Sequence, residues 1–359
     1  MNTITKHYID GAFVESHGRE VMDIVNPTNG KAIARVTLAD EEDARRTIAA
    51  AKRAFAIFGR TTKEERASIL RRLHEVVSAP ADDLTGAMVE EYGGVVQFAA
   101  PIVQAGANVF LAAEKALYEL PLTRSWGKTT VTLEPVGVAG TMTPWNANAR
   151  FLSAKLASAL AGGCTVVMKP SELSALHTQV WLESVHEAKL PNGFVNVVTG
   201  RGDVVGTDLV RNPDVDKISF TGSVAVGKSI MRDGAATMKR VTLELGGKSP
   251  NILLDDADLK KAIPNALVIG FLNSGQACAV GTRLLVPKSR LDEVKRAIVD
   301  TMPAFPVGNP ADPKTAVGPM VSEKQYERVQ SYIRKGIAEG AEVLIGGEGH
   351  PRASMRATS

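Results

Sequence analysis

Cysteine is nearly absent from this chain: two in 359 residues, Cys164 and Cys278. Two thiols provide no disulfide framework, so a reducing cytoplasm is the default compartment. Histidine is equally sparse. The six histidines stand singly, with no HExxH and no Cys–His cluster, so no metal site is expected. No charge of one sign dominates: the net charge is +3, and Lys and Arg are mixed with Asp and Glu in "DEEDARR" and "KEERASILRR". Such stretches are solvated helix faces rather than a nucleic-acid stripe. The N-terminus "MNTITKHYIDGAF" lacks the apolar core of a signal peptide, and no apolar run is expected to be long enough to cross a bilayer. Nucleic acid and membrane are therefore not expected partners. Internal repeats, low-complexity linkers and the GxGxxG fingerprint are also missing.

The composition that remains, 44% hydrophobic and 23% charged, is that of a globular protein with one large domain or two. Asp40 is placed to cap a helix with Ile48, Ala51, Phe55 and Phe58 on one face. Thr62 and Glu65 form a capping box for a second helix, expected to bury Ile69, Leu73 and Val76. "KTTVTLE" (128–134) alternates with period two and predicts a half-exposed strand.

From about 136 the pattern changes. The runs "VGVAGTM", "TVVMKP", "NVVTG", "KISFTG" and "VTLEL" are strand-sized, and helical stretches separate them. This predicts a parallel sheet covered on both faces, a doubly wound α/β domain with ligands at the carboxyl ends of its strands. A second α/β unit begins after Gly247, with a strand "TRLLVP", a helix from about 290, a helix "SEKQYERVQSYIRKGIAEG" and a last strand "EVLIGG".

Five short stretches have chemical potential. In "KISFTGSVAVG" a strand feeds a helix through Gly222-Ser223, with Gly227 one turn in. Unpaired amides and the helix dipole favour a phosphate there, although a Ser-capped helix with a packing glycine fits equally well. In "MKPSELS", Lys169 and Glu172 sit where a nucleotide ribose could be bound, or they merely open a helix. In "TPWNANAR", Asn146 is a neutral donor suited to an oxyanion, or a turn residue beside a core Trp145. In "LELGGKSP", Glu244 ends an apolar strand; partial desolvation would raise its pKa toward neutrality and suit a general base, where the alternative is a salt-bridged Glu. In "NSGQACAVG", small neighbours leave room around Cys278, as a nucleophile or as a small core residue.

Taken in order and spacing, "TPWN", "KPSE", "FTGS…G", "LELGGKSP" and "GQACAVGTR" resemble the aldehyde dehydrogenase superfamily, NAD-dependent and hydrolytic. The similarity runs from about residue 7 to about 349. The resemblance implies an α/β fold with a Rossmann-type NAD-binding domain at 1–116 and 136–247, an oligomerisation β-arm at 117–135, and an incomplete α/β catalytic domain at 248–359. It implies Cys278 as nucleophile, Asn146 as oxyanion donor, Glu244 as the base for hydrolysis and Lys155 as a lysine near that base. It implies NAD contacts at Trp145, Lys169, Ser171, Glu172, Gly202, Gly222, Ser223, Gly227 and Gln325. NADP is disfavoured, because the Glu172 carboxylate repels a 2′-phosphate. Cys164 is read as structural. The resemblance also implies a small-molecule aldehyde as substrate and homo-oligomers among full-length relatives.

The chain departs from the pattern in two places. Arg150 puts a cation where an apolar residue is common, facing an acidic substrate group or disturbing the pocket mouth. Family members continue past the end of this chain, and "HPRASMRATS" does not resemble their continuation. The expectation is a C-terminally truncated member, with the alternative of an impaired remnant that still binds NAD.

Overall fold

The computed structural model describes residues 2–349. The tail 350–359 lies outside the described residues. The chain divides into two compact units, 1–24 with 32–87 and 100–245, and 25–31 with 88–99 and 246–359. The main break falls beside the expected one at Gly247. Residues 25–31 and 88–99, expected with the first domain, group with the second unit.

A seven-stranded sheet forms the first unit. Its five parallel strands are Val138–Met142, Thr165–Lys169, Val195–Val197, Lys217–Gly222 and Arg240–Leu245. The antiparallel hairpin Lys6–Ile9 and Ala12–Glu15 extends the edge beyond Val195–Val197. Every residue of Val138–Met142 and Thr165–Lys169 is buried, which requires cover on both faces. The helix Glu41–Phe58 supplies one cover, with Ile48 and Ala51 against Val138, Val167 and Ile218. It starts where expected, because Asp40 accepts from the amides of Glu42 and Asp43. The helix Lys63–Ser78 has its Thr62–Glu65 capping box, but its fully buried face is Leu70, Leu73 and Val77; Ile69 and Val76 are only half-buried.

In chain order, the parallel strands are arranged 3-2-1-4-5. The order reverses between Val138–Met142 and Lys217–Gly222, and a doubly wound sheet opens its ligand crevice at that switch point. Register aligns the strand ends: Met142 pairs with Lys169 and with Phe220, and the Thr143 amide donates to the Lys169 carbonyl at 3.2 Å.

Three expectations are corrected. The strands Thr123–Trp126 and Thr129–Thr132 form a hairpin exposed at every residue, not half-exposed. "EVLIGG" forms no strand; Val343, Leu344 and Ile345 are exposed, and no strand pairs with them among the described residues. The helix Val96–Glu119 is long and apolar enough, by length and composition, to cross a bilayer, where no such run was expected. In the fold it buries Val103, Ala107, Phe110 and Leu117 and exposes Gln104, Asn108 and Lys115.

The second unit contains the helices Leu259–Gly270, Leu291–Thr301 and Glu323–Ala338 and a two-stranded parallel sheet, Pro250–Ile252 with Arg283–Leu285. Leu253, Leu259, Ile263 and Val294 form its core.

Candidate active site

A cleft of about 540 Å³ opens at the switch point of the first unit. Trp145, Lys169, Ser171, Gly202, Gly222 and Ser223 all line it, brought together from four strand ends. Lys169 is buried at the end of its strand and forms an ion pair with Glu172 at 3.1 Å. Ser223 caps the helix Val224–Gly234 by accepting from the Val226 amide at 3.3 Å, which turns the helix N-terminus toward the cleft wall. A Cβ on Gly222 would stand 2.4 Å from the Phe220 ring. The wall there is bare backbone because Phe220 already fills the side-chain space.

These features fit an adenine dinucleotide: a helix N-terminus and bare backbone for phosphates, and a Lys–Glu pair for a ribose. Gly227 does not line the cleft. It lets the helix approach the sheet, since a Cβ there would meet the Leu245 side chain at 2.8 Å; this is the packing role. Asp203, Thr207 and Asp233 also line the cleft. No sequence motif marked them: Asp203 lies in the short π-helical turn Gly202–Gly206, Thr207 opens the helix after it, and Asp233 lies near the end of the helix Val224–Gly234.

Asn146 follows Trp145 and is half-buried. The next residue, Ala147, takes a left-handed conformation with φ 51° and precedes the helix Asn148–Ala161. A network absent from the sequence reading anchors this turn. The fully buried Asn148 accepts from the Thr143 hydroxyl at 3.2 Å. Its amide nitrogen donates to Thr178 Oγ1 at 3.0 Å and lies 3.4 Å from His177 Nδ1. Burial pushes the His177 pKa down to about 3, so its ring is neutral and can accept. Close by, a Cβ on Gly106 would stand 2.9 Å from the Ala149 carbonyl oxygen, so only glycine permits the helix Val96–Glu119 to pass there.

Lys155 donates from Nζ to Ser219 Oγ at 2.9 Å. Burial lowers its pKa to about 8, opposed by the charge of Glu244 and reinforced by Lys217. Lys155 and Glu244 therefore feel each other electrostatically. The expected desolvation of Glu244 is not found: the residue is exposed. Its strand, Arg240–Leu245, is the sheet's edge strand, and its burial alternates so that Glu244 points to the open face. Arg150 is exposed on the first turn of its helix.

Cys278 and Gln325 belong to the second unit. Cys278 is an exposed free thiol; Cys164 is buried in the first unit. The turn before Cys278 is irregular. Asn273 and Ser274 have φ of 50° and 59°, left-handed values that cost free energy for non-glycine residues. Side chains hold it in place. Ser274 Oγ accepts from the Gly318 amide at 2.7 Å. Gln276 donates to the Pro319 carbonyl at 3.1 Å and accepts from the Val321 amide at 3.0 Å. Gln325 sits in the first turn of the helix Glu323–Ala338, its backbone N–H donating to Ser322 Oγ.

Comparison with known proteins places the chain in a family. Residues 13–357 match the aldehyde dehydrogenase family. A 3-succinoylsemialdehyde-pyridine dehydrogenase from Pseudomonas sp. is 40% identical over 353 residues, covering 98% of this chain and 74% of that protein. Aldehyde dehydrogenase C from Pseudomonas syringae, solved as a cysteine-to-alanine mutant with NAD+ and octanal, is 39% identical with a TM-score of 0.94, covering 97% of this chain and 73% of that one. A betaine aldehyde dehydrogenase from Staphylococcus aureus, solved with NAD+, is 34% identical with a TM-score of 0.92, covering 96% of this chain and 69% of that one. On sequence and on fold, the chain belongs to the aldehyde dehydrogenase family.

Proposed function

We propose that this enzyme oxidises an aldehyde to a carboxylic acid through a covalent intermediate on Cys278, with NAD held in the first-unit cleft. The cleft at the switch point carries the reading, because it gathers Lys169, Ser171, Gly202, Gly222 and Ser223 beside Trp145. Lys169 and Glu172 would hold the ribose, and Gly222 and Ser223 would face the phosphates. The exposed Cys278 thiolate attacks the aldehyde carbon. By the family resemblance, Asn146 supplies the amide donor for the oxyanion that forms. NAD, when bound, would supply the acceptor for the hydride of this carbon. Glu244 takes a proton from the water that releases the acid from the thioester on Cys278. Its exposure leaves it open to water. Gln325 contributes on the nicotinamide-ribose side. The fully exposed hairpin, with Trp126 82% exposed, supports assembly into a homo-oligomer through this arm.

The test is NADH formation from a panel of aldehydes that includes octanal. Turnover should fall about 10⁴-fold in Cys278→Ala while NAD still binds. Undiminished turnover in that variant would rule out the covalent route.

A further inference from the structure

Charged side chains cluster around the Gly202 wall of the cleft; Lys169 and Asp203 line it, and Glu172, Arg201 and Glu20 lie next to them in sequence or by ion pairing. Lys169 is paired with Glu172. Arg201, immediately before Gly202, is exposed and bound by Glu20 in a two-pronged arrangement: its Nε donates to both carboxylate oxygens at 2.8 and 2.9 Å, and its Nη2 donates to one of them. Asp203, immediately after Gly202, is exposed and lines the cleft. The charges of Asp203 and Glu172 both reach Arg201 and add to the effect of Glu20 in holding its guanidinium charged. Two cations, both engaged, therefore face three carboxylates.

A 2′-phosphate is bound best by an arginine free to offer its planar fork, and it is repelled by nearby carboxylates. Here the suitable arginine is occupied by a glutamate 181 residues away in sequence, and an aspartate stands next to it. We propose that the Glu20–Arg201 clamp and Asp203 set the cofactor specificity of this cleft, admitting a dinucleotide with a free 2′-hydroxyl and rejecting its 2′-phosphorylated counterpart. The proposal rests on the reading of the cleft as the NAD site. Asp203 acts on the ligand directly. Glu20 is a positioning residue, acting only through Arg201.

Exposed ion pairs add little stability, so Glu20→Ala should fold. Calorimetric titration of the full chain with NAD and with NADP reads the effect without turnover. In Glu20→Ala the ratio of the NADP Kd to the NAD Kd should fall about tenfold, as a charge-assisted bond to the phosphate becomes available. Asp203→Asn should lower the ratio about threefold, and Glu20→Ala with Arg201→Ala should lose the gain of the first change. Lys169→Ala separates the two levels of the argument. If it weakens NAD binding while the Kd ratio stays at the wild-type value in Glu20→Ala and Asp203→Asn, the clamp proposal is wrong and the cleft reading stands. If it leaves NAD binding unchanged, the ribose does not lie at this rim, and both fall.

Discussion

The first-unit cleft and the turn before Cys278 bring functional groups into place by opposite means. At the cleft, strand register does most of the work: Met142, Lys169 and Phe220 end in line because their strands pair. The turn before Cys278 has no such frame. Two left-handed residues are held by the Ser274 and Gln276 side chains, each bonded to backbone some forty residues away. Regular structure spreads a positional constraint over many ladder bonds, whereas the turn concentrates it in three. The cleft should therefore tolerate single polar substitutions that the turn does not.

The sharpest way to break this contrast is Gln276→Ala. Losing both bonds should lower kcat for NADH formation about 10- to 100-fold, the scale of a roughly 1 Å misplacement, and leave the NAD Kd unmoved. Equal loss of kcat and of NAD affinity would mean that turn and cleft are not separately held. Next is Asn148→Ala, which strips the network beneath the Trp145-Asn146 turn and orphans the Thr143 hydroxyl. Urea unfolding should show a loss of about 1–3 kcal/mol, and an unchanged midpoint would mean that the buried network contributes nothing.

Smaller effects concern pH. His177 is held near pKa 3 against 6.5, so in that window the unfolded chain binds the extra proton and stability rises with pH. His7, lowered chiefly by burial, acts in the same direction. The Tm of wild type should fall on acidification below 6.5, and His177→Gln should flatten that slope. On the alkaline side Lys155, near 8 against 10.5, makes stability rise between those values. The slope should be shallower in Lys155→Met.

Much of the site was legible because its chemistry is local. Asp40, Thr62 and Ser223 cap their helices through neighbours within three residues, so the sequence shows both partners. Gly222 and Ser223 lie where a strand-to-helix turn places them. Glu244 was misread because its setting depends on what lies beyond it: an apolar strand end implies burial only when another strand follows, and here the sheet stops. "EVLIGG" has the residues of a strand, but a strand needs a partner ladder. Asn148 and the Glu20–Arg201 pair were invisible for the same reason, since their partners come from remote parts of the chain.

By itself, then, the sequence determined the helix starts, the five parallel strands, and the identity and spacing of Cys278, Glu244, Asn146 and the cleft residues, because short-range hydrogen bonding, side-chain periodicity and motif order are properties of the chain. Only the tertiary structure decided that Glu244 is exposed, that Gly227 packs while Gly222 faces the cleft, and that Arg201 is already occupied. Burial and long-range ion pairing depend on which distant segments meet, and that is settled by the strand order of the sheet and the packing around it.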